Sequence, residues 1–176
     1  MELEFAQSVL LNFGLKDSIV SVKRIESGLI NTTFVLNSKA NSYILQAINT
    51  KVFPNHEKGL ENILTVGNWL KSKNYPYSFP LPIKGQYLKL KNEVWRLMPF
   101  VKNSISYNQV SSLGQVKRAA NCLGEFYHDL SDFNAENLST TLPNFHNGKS
   151  TIKIFEQALT NRNKSRILLS KPIINV

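Results

Sequence analysis

The sequence predicts an α+β fold in which a five-stranded antiparallel sheet, with one inserted helix, precedes an incomplete helical region. Five short segments between residues 19 and 98 are strand-like, with alternating or β-branched residues separated by turn-forming residues. After Pro99, apolar residues recur instead at helical spacing. The hydrophobic fraction of 42% is typical of a globular protein with a packed core.

The N-terminal elements are a short helix followed by three strands. Apolar spacing predicts the helix over about residues 2–13, with Gly14 as its C-terminal stop. Strand-like segments follow at residues 19–25, 32–36 and 43–48. Because turn chemistry separates them, they are expected to form an antiparallel meander.

A long helix is predicted to enter the sheet after the third strand. One apolar stripe runs through about residues 55–73, and a proline-rich stretch then interrupts regular structure. Residues 87–90 and 93–98 flank Lys91 and Asn92, which gives the signal of a tight hairpin.

The second half is predicted to be helical. Helical spacing extends from Val110 to Leu130 and recurs around residues 152–159, with a polar connector over 132–145. The apolar tail from residue 167 carries Pro172 and receives no assigned element.

These patterns place a lobe boundary near the end of the fifth strand. Residues 1–98 are expected to form a β-rich lobe, 99–102 a linker, and 103–176 the start of a helical lobe.

The net charge of +9 is compatible with two interpretations. It is spread over solvated faces, or it marks a surface that binds nucleic acid or another polyanion. No run of five basic residues occurs, which favours the first interpretation. The second would use interleaved aromatic and basic side chains, namely Tyr75, Tyr77, Lys84, Tyr87, Lys89 and Lys91.

Other classes are disfavoured by composition. No stretch approaches the length of a membrane span, and the acidic N-terminus lacks the features of a secretory leader. A single cysteine, Cys122, fits a reducing compartment, so a cytoplasmic location is expected. The three histidines lie far apart with no second ligand at metal spacing, and neither of the common glycine-rich phosphate motifs is present.

Several segments resemble one family of small-molecule kinases, the aminoglycoside phosphotransferase and choline kinase-like superfamily, whose fold is protein-kinase-like. Residues 27–34 resemble its G-x-I-N-x-[ST]-[FY] turn, and residues 43–53 closely resemble the strand Y-I-L-Q-x-I-N-x-x-V-F of its N-acetylhexosamine 1-kinase-like branch. Weaker likenesses are at residues 61–63, 95–100, 123–127 and 143–147.

The resemblance implies that ATP binds between the lobes and that Mg²⁺ accompanies it. Gly28, Asn31 and Thr32 would lie at the turn that covers the phosphates, where Gly28 lets backbone N–H groups approach them. Gln46 would occupy the strand-three position that holds a lysine in protein kinases. Glu61 and, as an alternative, Glu57 are the candidates for the helix carboxylate. Since glutamine carries no charge, the phosphates would depend on backbone donors and metal.

The resemblance also places adenine at the linker. Backbone groups of Met98, Phe100 and Val101 would contact the base edge, and Pro99 cannot donate because it has no N–H.

Catalysis in this family uses an H-x-D-x-x-x-x-N loop and a later acidic motif, and these 176 residues contain neither. The expectation is a kinase-type chain that transfers the ATP γ-phosphoryl group to a small molecule, most consistent with an amino sugar, but that is truncated before its catalytic loop. No catalytic or metal-binding residue is therefore assigned. The alternatives are a non-catalytic pseudokinase scaffold and the basic nucleic-acid-binding module.

Overall fold

The computed structural model describes residues 1–160 and 164–174, which fall into two compact units. The first unit is Met1–Thr141 and the second is Leu142–Val176. All β-strands of the described chain belong to the first unit.

The first unit is built on one five-stranded antiparallel sheet with the order β1-β2-β3-β5-β4. Its strands are β1 (Ile19–Ile25), β2 (Thr32–Ser38), β3 (Ser42–Ile48), β4 (Leu88–Leu90) and β5 (Glu93–Pro99). The five strands predicted between residues 19 and 98 therefore form one sheet, and the predicted fold class is confirmed. β5 inserts between β3 and β4, so the β1–β2–β3 meander and the β4–β5 hairpin join through the β3–β5 pair.

The β4–β5 hairpin is a two-residue turn, as its sequence predicts. Lys91 and Asn92 have φ values of 49° and 63°, and Leu90 pairs with Glu93. Positive φ at both central positions matches the right-handed twist of the strands, which fixes the register of the hairpin.

One face of the sheet packs against the N-terminal helix α1 (Leu3–Asn12). The shared core combines apolar residues of α1 and the loop after it with alternate residues of β2, β3 and β5: Ala6, Val9, Leu10, Phe13, Phe34, Leu36, Tyr43, Leu45, Trp95 and Leu97. Because side chains alternate along a strand, the intervening residues point to the opposite face.

The inserted helix α2 (His56–Ser72) follows β3 and contacts residues 129–139. Its Trp69 indole N–H donates to the carbonyl of Asp129 at 2.8 Å, and its ring packs edge-on against Phe133. Asn62 forms two hydrogen bonds with the backbone of Ser139. The connector between residues 130 and 141 is thus fastened to α2.

The helix α3 (Leu113–Asp129) begins at a Ser112 cap, whose hydroxyl accepts from the N–H of Gln115. Its Phe126 lies in edge contact with Tyr75. The sequence places this helix correctly, but with an earlier start at Val110.

The second unit contains α4 (Gly148–Thr160) and α5 (Lys164–Ile174). The first was expected in shorter form. The second was not predicted, because Pro172 argues against helix and lies in its last turn. Residues 161–163 and 175–176, which belong to the predicted helical lobe, lie outside the described residues.

The division between the units follows Thr141, not the predicted linker at 99–102. That linker and its flanking lobe bounds of 1–98 and 103–176 stay predictions. No helix among residues 1–160 and 164–174 has both the length and the apolar character to cross a bilayer.

Candidate functional site

A row of polar side chains crosses the sheet face opposite α1. Thr33 on β2 pairs with Gln46 on β3, and Gln46 pairs with Arg96 on β5. Each has a neighbour in the α1 core, Phe34, Leu45 and Leu97, so alternation directs the three polar residues to the other face. Cross-strand partners lie close enough for their side chains to interact.

Hydrogen bonds connect these three residues into a relay. The Nε of Arg96 donates to Oε1 of Gln46 at 2.7 Å, and Nε2 of Gln46 donates to Oγ1 of Thr33 at 2.9 Å. Because an arginine can only donate, this relay fixes which end of the Gln46 amide faces Arg96. Thr33 is buried, and its hydroxyl lies 3.4 Å from the Asn31 carbonyl, which it reaches as a weak donor.

A cavity of about 380 Å³ lies beside this relay. Arg96 and Ile48 form its sheet wall, and α2 with the residues before it forms the other side. The remaining lining residues come from three other loops: Asn31, Tyr87 and Thr141. A volume of this order matches small-molecule pockets, which combine apolar walls with a few placed polar groups.

The start of α2 contributes unusual polar groups to the cavity. Nε2 of His56 is buried without a hydrogen-bond partner among the described residues, while its Nδ1 lies 3.3 Å from the Phe53 carbonyl. Its ring stacks on Tyr87 with 5.9 Å between centroids. Asn55, the residue before the helix, makes no capping bond and instead donates to the Thr141 carbonyl at 3.3 Å.

Asn31 connects the cavity to the turn between β1 and β2. Its Oδ1 accepts from the N–H of Asn49 at 2.9 Å, which ties the turn to the end of β3. At Gly28 an added Cβ would lie 3.1 Å from the Asn31 carbonyl oxygen. The glycine therefore permits a close approach within the turn, which agrees with either a structural or a phosphate-covering role.

Two other residues that were predicted to lie near the phosphates, Thr32 and Glu61, do not line the cavity beside Arg96. Thr32 is exposed and lines a separate cavity on the α1 side of the sheet, with Phe5 and Trp95. Glu61 is exposed and is absent from the lining of the Arg96 cavity. Glu57, its alternative, pairs with Lys89 at 3.0 Å. The residue of α2 that does enter the cavity is Asn62.

The predicted adenine linker continues from the same sheet face. Met98 is two residues beyond Arg96 and pairs with Ile44, so it shares the face of the relay, about 7 Å along the strand. The N–H of Phe100 donates to the Ser42 carbonyl at 3.3 Å, and the carbonyl of Val101 accepts from the Ser104 hydroxyl. No partner is recorded among the described residues for the N–H groups of Val101 and Lys102, so these two are the backbone donors that the linker offers.

Met98, Phe100 and Val101 are not among the residues that line the Arg96 cavity. The structure thus brings Asn31 and Gln46 together with Arg96 and leaves the linker residues outside the cavity. Whether any of these positions binds nucleotide stays a prediction.

No group of three or more His, Cys, Asp or Glu side chains that could hold a metal ion occurs in the described part of the chain. A Mg²⁺ ion that accompanies a nucleotide needs only one or two protein carboxylates, so its site stays an expectation of the family resemblance.

Three residues of this site were missed by sequence reasoning: His56, Asn62 and Arg96. Arg96 carried the clearest signal, because a charged residue in the middle of the apolar strand 94–98 needs a polar partner. His56 and Asn62 look like ordinary residues of a solvated helix, and no pattern in one sequence separates them from their neighbours.

The aromatic side chains proposed for nucleic-acid binding are engaged elsewhere. Tyr75 packs against Tyr77 and Phe126, and Tyr87 stacks on His56. Tyr77 is still 39% exposed, and nucleic-acid binding stays a hypothesis.

No family model matches the sequence. Among solved structures, the GDP and kanamycin complex of APH(2″)-IIIa is similar with a TM-score of 0.60 and 18% identity, over 93% of this chain and 53% of that one. A GDP complex of a variant named aminoglycoside 2′-phosphotransferase-IIIa has a TM-score of 0.59 and 18% identity, over 93% and 52%. A spectinomycin phosphotransferase bound to ADP and spectinomycin has a TM-score of 0.50 and 15% identity, over 72% and 37%.

This chain spans about half the length of the first two of these proteins. At such identities the likeness concerns the fold. The five-stranded sheet with α2 inserted after β3 is that of an aminoglycoside kinase-like N-lobe.

Proposed function

We propose that this chain is the nucleotide-binding part of a phosphotransferase that acts on a hydroxyl group of a small molecule. The observation that carries the proposal is the polar relay beside the cavity, on the sheet face that runs from the β1–β2 turn to the linker. A fold alone does not specify function, so the proposal depends on this site. The similar structures were solved with GDP or ADP bound, which supports a nucleotide as the ligand.

In this proposal, ATP lies along the face that carries Met98, Gln46 and Asn31. The linker would contact adenine through the N–H of Val101 or Lys102, since the N–H of Phe100 is already bonded. The phosphates would lie at the other end of β3, near Gly28 and Asn31. When bound, Mg²⁺ would offset phosphate charge, but no residue of this chain is assigned to it.

For the acceptor, we propose an amino sugar. Support comes from the resemblance of residues 43–53 to the N-acetylhexosamine 1-kinase-like branch, and from the aminoglycosides in two of the similar structures. These residues contain no H-x-D-x-x-x-x-N loop, so we propose that they do not transfer phosphate by themselves.

Nucleotide binding can be tested by amide NMR during titration of the 176-residue chain with ATP. We expect shifts in residues 28–32 and 100–102, with weak affinity because only part of the site is present. A dissociation constant in the low micromolar range would contradict the weak affinity, and unchanged amides in both segments would overturn nucleotide binding.

Turnover is tested by following ADP release with N-acetylhexosamines. We expect no sugar-dependent release, and activity that exceeds a heat-killed control would refute the inactivity.

The nucleic-acid hypothesis predicts a different result. Oligonucleotide affinity would fall steeply with salt, with a log–log slope that tracks the number of phosphates contacted.

A further inference from the structure

Gln46 leaves the proposed nucleotide site without the usual strand-three cation. A nucleotide polyphosphate carries several negative charges, and kinases place a lysine at this strand position to bind them. A neutral amide supplies hydrogen bonds but no charge. A site for phosphates on this face would therefore need its positive charge from another residue.

We propose that Arg96 supplies this charge and binds the phosphate groups of the nucleotide in place of a strand-three lysine; the inference rests on the function proposed above. Arg96 is the cross-strand partner of Gln46, and the two side chains are joined by the 2.7 Å hydrogen bond. The guanidinium thus lies beside the position that the lysine would occupy.

The hydrogen bond to Gln46 uses only part of the guanidinium. Nε is the donor, and the two terminal NH₂ groups have no recorded partner among residues 1–160 and 164–174. Four N–H donors therefore remain. Their planar arrangement matches two oxygens of a phosphate, which is why arginine is suited to bidentate phosphate recognition.

Among residues 1–160 and 164–174, Arg96 also has no carboxylate within ion-pair distance. The ion pairs recorded for the described residues join Arg24 to Glu26, Lys73 to Asp132, and Lys89 to Glu57. A half-buried, unpaired charge is costly, so an anionic ligand in the cavity would relieve that cost.

The cavity wall opposite Arg96 carries an independent sign of a missing polar partner. Nε2 of His56 is buried and unpartnered in the part of the chain that the structure describes, yet its residue lines the same cavity. Buried polar atoms normally have a hydrogen-bond partner. His56 thus brings an unsatisfied polar atom to the border of the cavity that Arg96 also lines.

The relay gives Gln46 a positioning role in this proposal. Its Oε1 holds Arg96, while Nε2 is directed to Thr33, so the amide orients the guanidinium across the face. In this proposal the positive charge lies on β5, at Arg96, and not on β3, where a kinase lysine would lie. Gln46 on β3 is the cross-strand partner that holds Arg96 in place.

The test compares tripolyphosphate, adenosine and ATP as probes in amide NMR titrations of the full chain. We expect Arg96→Met to weaken tripolyphosphate and ATP binding by about 10- to 100-fold, the usual effect of losing a charged hydrogen-bond donor, and to leave adenosine unaffected. Arg24→Met is the matched control, because it removes the same charge from an exposed side chain on the α1 side of the sheet.

A second variant distinguishes loss of the positive charge from misfolding of the Arg96→Met chain. Adding Gln46→Lys to Arg96→Met returns a cation to strand three, and we expect most of the lost tripolyphosphate affinity to return. The inference is overturned if wild type does not bind tripolyphosphate, if Arg96→Met binds it as wild type does, or if Arg24→Met weakens it equally. Failure of a folded double variant to recover would also count against it.

The outcomes separate this inference from the proposed function. Shifts of residues 100–102 with ATP that are equal in wild type and Arg96→Met would preserve nucleotide binding and remove the role of Arg96. An Arg96-dependent response to tripolyphosphate, without any linker response to ATP, would instead remove the nucleotide function and support only anion binding by Arg96.

Discussion

Tyr43 and Asp17 join β3 to the segment between α1 and β1. The Tyr43 hydroxyl donates to Oδ2 of Asp17, and the amide of Asn41 donates to the same oxygen at 2.9 Å. The bonds from Tyr43 and then Asn41 lower the pKa of Asp17. Burial, followed by the bond to Asp17, raises the pKa of Tyr43 to about 12.

These shifts predict how stability depends on pH. The folded pKa of Tyr43 is raised, so its contribution is complete below the ordinary tyrosine pKa of about 10 and is lost as pH rises through about 12. We expect the stability advantage of wild type over Tyr43→Phe to shrink between about pH 10 and 12.

At acid pH the sign is opposite, because the folded pKa of Asp17 is lowered. Its contribution is present above the ordinary carboxyl pKa and disappears as pH falls through the folded pKa. Urea denaturation at a series of pH values measures both trends. Tyr107→Phe, at an exposed tyrosine, is the control, and equal pH profiles for wild type and Tyr43→Phe would contradict the prediction.

Individual site residues could be predicted only where the chain itself marks them. Gly28 and Gln46 could be proposed as site residues because they lie in the segments 27–34 and 43–53, which resemble the kinase family. Pro99 could be excluded as a backbone donor because proline has no N–H. The relay from Arg96 to Thr33 depends on the β3–β5 register, which joins residues far apart in sequence. The local turn signals of the β1–β2–β3 meander and the β4–β5 hairpin give no information about which strand of one pairs with which strand of the other.

At the scale of elements, α1 is the cover of one sheet face. Leu10 is fully buried in the core, whereas Leu11 is 55% exposed on the same helix. We expect Leu10→Ala to lower the free energy of unfolding by about 2–5 kcal/mol, because it leaves a cavity. Leu11→Ala, with identical chemistry, should change it by about 0.5 kcal/mol or less.

Urea denaturation of both variants measures the difference. Similar losses for the two leucines would mean that α1 does not pack on the sheet through the face that contains Leu10.

Asn62 makes two of the hydrogen bonds that hold the connector after α3 to α2. Its Nδ2 donates to the Ser139 carbonyl at 2.8 Å, and its Oδ1 accepts from the Ser139 N–H at 2.9 Å. We expect Asn62→Leu to cost about 1–3 kcal/mol, since two backbone groups lose their partner. Amide exchange of Ser139 should accelerate in the same variant.

Asn68→Leu is the matched control, because Asn68 is an exposed asparagine on the same helix. If it destabilises the protein as much as Asn62→Leu does, the hydrogen bonds to Ser139 are not the cause.

The positions of strands and helices along the chain were more predictable than the contacts between them. The β1 bounds and the Lys91–Asn92 turn follow from alternation and turn chemistry, which are local. The α5 helix lies outside the sequence prediction, which assigns no element to the apolar tail that carries Pro172.

At the scale of the molecule, the sheet has two faces with different tasks. The α1 side holds the shared apolar core, and the opposite side holds the Thr33–Gln46–Arg96 relay and the cavity. Because side chains alternate along each strand, one short segment serves both faces. In β5, Trp95 and Leu97 stabilise the fold while Arg96, between them, is available to a ligand.

The last prediction concerns the independence of the first unit. The contacts described above for the sheet, α1, α2 and α3 lie within Met1–Thr141, including those of the connector. We therefore expect a chain that ends at Thr141 to keep the amide spectrum of the sheet and the urea midpoint of the full chain. A chain that ends at Asp129 is the control, because it also loses Phe133 and Ser139 as partners of α2. It should unfold at lower urea. Loss of cooperative unfolding in the Thr141 chain would show that residues 142–176 are part of the same folding unit.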